Sequence, residues 1–196
     1  MTNQELLQLL RSEVIPAIGC TEPIAVALCV ARAKELLGTE PDEIDVYLSK
    51  NVYKNALAVG IPNTGMTGLP IAIALGATVG KSEYMLEVLR DTTPEAVAYA
   101  KEYMLRVPTR LHINYEAPSI LYIHAEVRKG DQTAQATIMN EHTNFVEANE
   151  VVRVENNENK GKKERSEELS LRRVFDFAME VDTNDISFLQ DGAEMN

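Results

Sequence analysis

Cys20 has the strongest claim to chemistry in this chain. It stands in Gly19-Cys20-Thr21-Glu22-Pro23, immediately ahead of a stretch with helical periodicity. A thiol at a helix start feels the positive end of the helix dipole and the free N–H groups of the first turn. Both lower its pKa and favour thiolate, the form that binds iron or acts as a base or nucleophile. The alternative is a small buried residue that merely packs, and the sequence leaves both open. Cys29 lies mid-helix between Leu28 and Val30, where packing is expected. Residues 59–70, VGIPNTGMTGLP, form the second candidate. Gly65 and Gly68 permit close backbone approach, Thr64 and Thr67 offer hydroxyls, and the helix expected next could turn its N-terminal amides to a carboxylate. No Gly-Lys-Ser/Thr ends this loop and GxGxxG is absent, so a small acid fits better than a nucleotide.

Lys54-Asn55 precedes that loop; the lysine could pair with a carboxylate or form a Schiff base, or simply be solvated. Glu141-His142-Thr143-Asn144 closes an expected strand, with His112 and His124 on neighbouring strands. His142 is a candidate acid/base or substrate ligand, whereas His124 is expected on a sheet face. Without HExxH, CxxC or a close histidine pair, a zinc site made by this chain is not expected.

The elements that must position these residues follow from periodicity. Thr2 and Glu5 form a capping-box pattern ahead of a helix over about 3–14. A second, nearly all-apolar helix runs from Thr21 or Glu22 to Leu37, with Pro23 in its first turn and Gly38 at its end. Ile44–Leu48 alternates as a strand. Residues 51–80 are expected as a loop feeding a buried helix around Ile71–Ala77, followed by helices at 82–90 and 94–105, the latter started by Thr93. Leu111–Tyr115, Ile120–Val127 and Thr133–Met139 alternate as strands, with Lys129-Gly130-Asp131 as a hairpin turn and Phe145–Val154 as a further strand. Residues 155–167 carry no apolar side chain and read as a linker. Short helices at 170–180 and 183–190, the latter ending at Gly192, follow with little to pack on. The expected architecture is α+β: a mainly helical part, 1–107, holding Cys20 and the 59–70 loop; a small antiparallel sheet of three to four strands, 108–154, packed on helices; the linker; and short helices over 168–196.

Composition excludes several classes. Of 196 residues, 30 are acidic and 19 basic, giving a formal net charge of −11, which argues against non-specific nucleic acid or anionic membrane binding. No apolar run is long enough to span a membrane, no secretory signal opens the chain, and two cysteines make no disulfide framework, so a cytoplasmic protein is expected.

The run VIPAIGCTEPIAVALCVARAKELLG, the later NVYKNALAVGIPNTGMTGLPIAIALGA and the late EHTN resemble the iron–sulfur L-serine dehydratase alpha-chain superfamily, and within it the L-cysteine desulfidase, or serine dehydratase-like, branch. The resemblance runs over essentially the whole chain. It implies a lyase of amino-acid catabolism that removes ammonia from a β-substituted amino acid, converting L-cysteine to pyruvate, ammonia and sulfide, or L-serine to pyruvate and ammonia. It also implies a [4Fe–4S] cluster with an open iron site. Under this resemblance Cys20 matches a cysteine that is a cluster ligand or an acid/base group. Lys54, Asn55, Thr64, Gly65, Thr67 and Gly68 match the segment that holds the substrate carboxylate and amine, and His142, Thr143 and Asn144 match a motif facing the same pocket. A cluster takes at least three cysteines, and this chain has two. Members of the superfamily are about twice as long, with further cysteines in the C-terminal half. The chain is therefore expected to be an N-terminal portion, inactive and without a cluster alone, that partners a missing C-terminal half and self-associates. The other reading is a non-catalytic domain that binds or senses a small amino acid.

Overall fold

The computed structural model describes residues 1–15, 17–147 and 169–195. They divide into two compact units: Met1–Pro16 with Asn157–Asn196, and Ala17–Asn156.

The larger unit is built around α2, Thr21–Leu37. Every side chain from Ile24 to Ala31 in it is fully buried, as a helix that is apolar all round must be. Gly38, at φ 78°, ends the helix in the left-handed conformation that glycine adopts without strain. The chain then enters β1, Glu43–Ser49, whose Ile44, Val46 and Leu48 face the core. A four-stranded sheet has the order β4-β1-β5-β6, with β4 Thr109–Asn114, β5 Tyr122–Lys129 and β6 Gln132–Met139. β5 and β6 form the expected hairpin, with Gly130 at φ 56° in its two-residue turn. The expectation of mixed helices and sheet holds, with two differences. β1 is an inner strand pairing with both β4 and β5, so the division at 107/108 does not separate two bodies, and its pairing with β4 is parallel. A parallel pair needs a long crossover, and residues 50–108 supply it. Of the strand expected over Phe145–Val154, Phe145 makes one bridge to Ile138; its continuation from 148, and the 155–167 linker, lie outside the described residues.

The crossover differs from the expected loop. Ser49 ends β1 and also caps α3, Lys50–Ala56, accepting from the Val52 N–H and donating to the Ile120 carbonyl at 2.6 Å. A short hairpin follows, β2 Gly60–Ile61 and β3 Met66–Thr67, and then α4, Leu69–Thr78, buried as foreseen. A 3₁₀ turn, Ser82–Glu87, replaces the helix expected at 82–90, and α5, Pro94–Arg106, starts at Thr93.

On the sheet face away from the core, Asp45 is almost enclosed and is the shared acceptor of Arg110, His112 and Arg128, each at 2.8 Å. Arg110 also pairs with Glu43. Tyr47 stacks on His112, with ring centroids 4.5 Å apart. The Arg110 hydrogen bonds, opposed by burial, hold the Asp45 carboxyl well below its ordinary value of 3.8. The folded chain therefore keeps the carboxylate at pH values where the unfolded chain has taken up a proton, so this stabilisation is complete above about pH 5 and fades as the pH falls through and below 4. Asp45→Asn is expected to cost about 2 kcal/mol at neutral pH, because both arginines stay partly solvated. The penalty should shrink in urea melts run below pH 4; an equal penalty at pH 7 and pH 3 would disprove the coupling.

The smaller unit contains α1, Asn3–Glu13, α6, Leu171–Glu180, and α7, Phe188–Met195. The capping box forms as read: the Glu5 N–H donates to the Thr2 hydroxyl, and the Thr2 N–H to the Glu5 carboxylate. The C-terminal helices, expected to have little to pack on, meet α1. Phe177 and Leu6 are buried, Arg173 donates to the Met1 carbonyl, and Asn3 donates to Glu180. The last helix starts later than expected and runs through Gly192. No helix among the described residues is long and apolar enough to cross a membrane.

Candidate functional site

Three of the sequence candidates converge at one end of the sheet. A short link joins the end of α2 to the start of β1, so α2 runs antiparallel to β1 and begins where β1 finishes. α3 leaves from that end, and so does the Glu141–Asn144 turn, because β6 finishes beside the first residue of β5.

Cys20 is the N-cap of α2, as its place in the sequence implied, and it is half-buried. Its neighbour Glu22 joins the cluster together. One Glu22 carboxylate oxygen accepts from the Asn55 amide at 2.9 Å; the other accepts from the Cys20 thiol at 3.3 Å and the Thr21 hydroxyl at 3.2 Å. Burial raises the Glu22 carboxyl, but the hydrogen bonds from Asn55, Cys20 and the backbone outweigh it and leave the group below its ordinary value. The thiol moves the opposite way from expectation. Burial is the largest cause raising the Cys20 pKa, and the adjacent carboxylate adds to it, outweighing the N–H groups of the helix start. In this arrangement Cys20 is a protonated thiol donating to a carboxylate, not a free thiolate. Cys29 packs: it is fully enclosed, its thiol points to the Ala136 carbonyl at 3.3 Å, and burial pushes its pKa up to about 12.

The 59–70 segment closes over the start of α2. A Cβ on Gly19, which sits at φ +85°, would lie 2.6 Å from Pro62 Cγ, so the hairpin turn rests directly on the residue before Cys20. Within the turn Thr64 is consumed: its hydroxyl donates to the Ile61 carbonyl at 2.7 Å and accepts from the Met66 N–H at 2.9 Å. It shapes the hairpin and has little left to offer a ligand. Gly68 is equally structural, since a Cβ there would meet the Leu57 carbonyl oxygen at 2.7 Å. Gly65, Thr67 and Lys54 are exposed, Lys54 one position before Asn55 on α3. Asn55 faces Glu22, so it orients that carboxylate.

His142 and Thr143 sit half-buried in the turn after β6. The His142 Nε2 is buried with no hydrogen-bond partner among the described residues. Asn144 bonds back to Met139. Among the described residues, no hydrogen bond joins His142, Thr143 or Asn144 to the Cys20–Glu22–Asn55 cluster. His124 lies on the outer sheet face against Thr137, as expected, and His112 lies there against Asp45, remote in role from the thiol. The residue sequence reasoning passed over is Glu22. An acid in a first helical turn has a sufficient reason in the helix dipole, and only its contact with Asn55, 33 positions away, marks it out.

The chain is 47% identical over 98% of its length to a protein named UPF0597 from Bacteroides thetaiotaomicron. It is 39% identical over 98% to one from Chromobacterium violaceum, and 36% over 97% to one from Clostridium tetani. It spans just under half of these curated relatives, 46% to 47% of their length. No family model matches the chain, and no solved structure does.

Proposed function

We propose that this chain is the amino-terminal portion of a cytoplasmic iron–sulfur-dependent lyase that deaminates L-cysteine or L-serine. The observation that carries the reading is the hydrogen-bonded line Asn55–Glu22–Cys20 at the start of α2, with the Gly- and Thr-rich hairpin seated against Gly19. Elimination from a β-substituted amino acid takes a proton from the α-carbon and returns one to the departing hydroxyl or thiol. A thiol paired with a carboxylate whose orientation is fixed can hold and pass one proton. Lys54, exposed one position before Asn55, and Thr67, exposed in the hairpin, suit the substrate carboxylate.

The residues of this chain do not by themselves fit a [4Fe–4S] cluster. Such a group takes at least three thiolates; the chain has two cysteines, and Cys29 is enclosed. Cys20 could supply one ligand at most, so the remaining donors would come from sequence outside this chain, and no step here is routed through the cluster.

The test is co-expression with the part of the Bacteroides thetaiotaomicron relative that this chain does not match, anaerobic reconstitution with iron and sulfide, and measurement of pyruvate from L-cysteine and L-serine. Pyruvate formation that disappears in Cys20→Ala is the expected result. Binding of L-cysteine without pyruvate would replace the lyase by an amino-acid-binding domain, and absence of both would overturn the reading.

A further inference from the structure

Among the described residues, α6 has two apolar sides and a partner for only one. Phe177 turns inward and is 8% exposed, and Arg173 on the same side bonds to the start of α1. On the other side Leu171 is 91% exposed, Met179 72%, Phe175 57% and Val174 44%. Their spacing of i, i+3, i+4 and i+8 draws them into one stripe along the helix. Contiguous apolar stripes of this kind mark surfaces that another element covers, unlike single exposed residues such as Leu105 on α5. The small unit needs the cover as well: among its described residues Leu6 and Phe177 are the buried apolar side chains, too few to hold three helices together unaided.

We infer that the stripe Leu171–Val174–Phe175–Met179 is the docking surface for the half of the relatives' sequence that this chain lacks. An apolar face of that half would seat on α6 by ordinary helix packing. Two facts favour this occupant. More than half of each relative lies outside the matched segment. A second copy of this chain would bring another net charge of −11 against the first. The inference is independent of the lyase reading, because its readout is association, not turnover.

The experiment co-expresses the tagged chain with the unmatched portion of the Bacteroides thetaiotaomicron relative and measures complex formation by light scattering and titration. A one-to-one complex is expected, weakened at least tenfold by Phe175→Asp with Met179→Lys, weakened less by Phe175→Ala, and unchanged by Leu105→Asp. The substituted side chains are exposed, and circular dichroism of each variant is the control that its helices persist. No complex, or one indifferent to the α6 substitutions, overturns the inference. So does a chain that dimerises alone and becomes monomeric with Phe175→Asp, which would assign the stripe to a second copy.

Discussion

Gly76→Ala is expected to cost about 3 kcal/mol or more, and to leave the chain largely insoluble if its margin lies at the low end of the usual range of roughly 5–15 kcal/mol. α4 crosses α2 with Gly76 against Ala27: an added Cβ would lie 2.4 Å from the Ala27 carbonyl oxygen and 3.0 Å from its Cα. Both are backbone atoms of a helix buried on all sides, so no side chain can swing aside. Gly80, just past the end of α4, is also close to α2, though less tightly: a Cβ there would fall 3.1 Å from that of Ala31. Gly76 on α4 and Ala27 on α2 thus set how closely the two helices approach. Alanine's better helix propensity returns only about 1 kcal/mol, less than the overlap, so the clash decides the sign. Urea unfolding should show a lower midpoint with an unchanged slope. A midpoint equal to or above that of the parent chain would mean that α2 and α4 do not touch at Gly76. The same contact bears on function, because moving α4 also moves the β2–β3 hairpin that rests on Gly19.

How much of this was legible in the sequence depended on how local the cause was. The Thr2–Glu5 box, the Pro23 start and Gly38 stop of α2, and the β5–β6 hairpin are set by residues within a few positions of one another, and all were readable. α3 was not, because Ser49 ends a strand and caps a helix with no linker between, and the Gly/Pro-rich sequence that follows masks the helix of residues 50–56. The β1–β4 pairing joins residues about 65 positions apart across a crossover, which leaves no local signal. The partnership of α1 with α6 is longer still. At the site, the place of Cys20 could be read but its protonation could not. The helix-start argument weighs the dipole alone, whereas burial and the Glu22 carboxylate together reverse it.

That reversal yields the sharpest functional prediction. Glu22→Gln removes the carboxylate that favours the protonated thiol, so the Cys20 pKa should fall and its alkylation by iodoacetamide at about pH 8 should speed up several-fold. If the thiol and carboxylate act as a proton-passing pair, the more reactive thiol is nonetheless the less competent one. Turnover in the complemented, reconstituted assembly should drop by about 10²–10⁴, as for loss of a general acid–base group. Asn55→Ala tests the arrangement from the other side. It leaves the carboxylate in place but without its amide donor, so the Glu22 carboxyl should rise toward its ordinary value and the acid limb of the pH–rate profile should move upward with it. Rates should fall less than in Glu22→Gln, because the group is misaligned rather than absent. Faster alkylation together with full turnover in Glu22→Gln would keep the electrostatics but remove Glu22 from catalysis. Unchanged alkylation would show that burial alone sets the Cys20 thiol, and the line from Asn55 to Cys20 would then be a helix cap and nothing more.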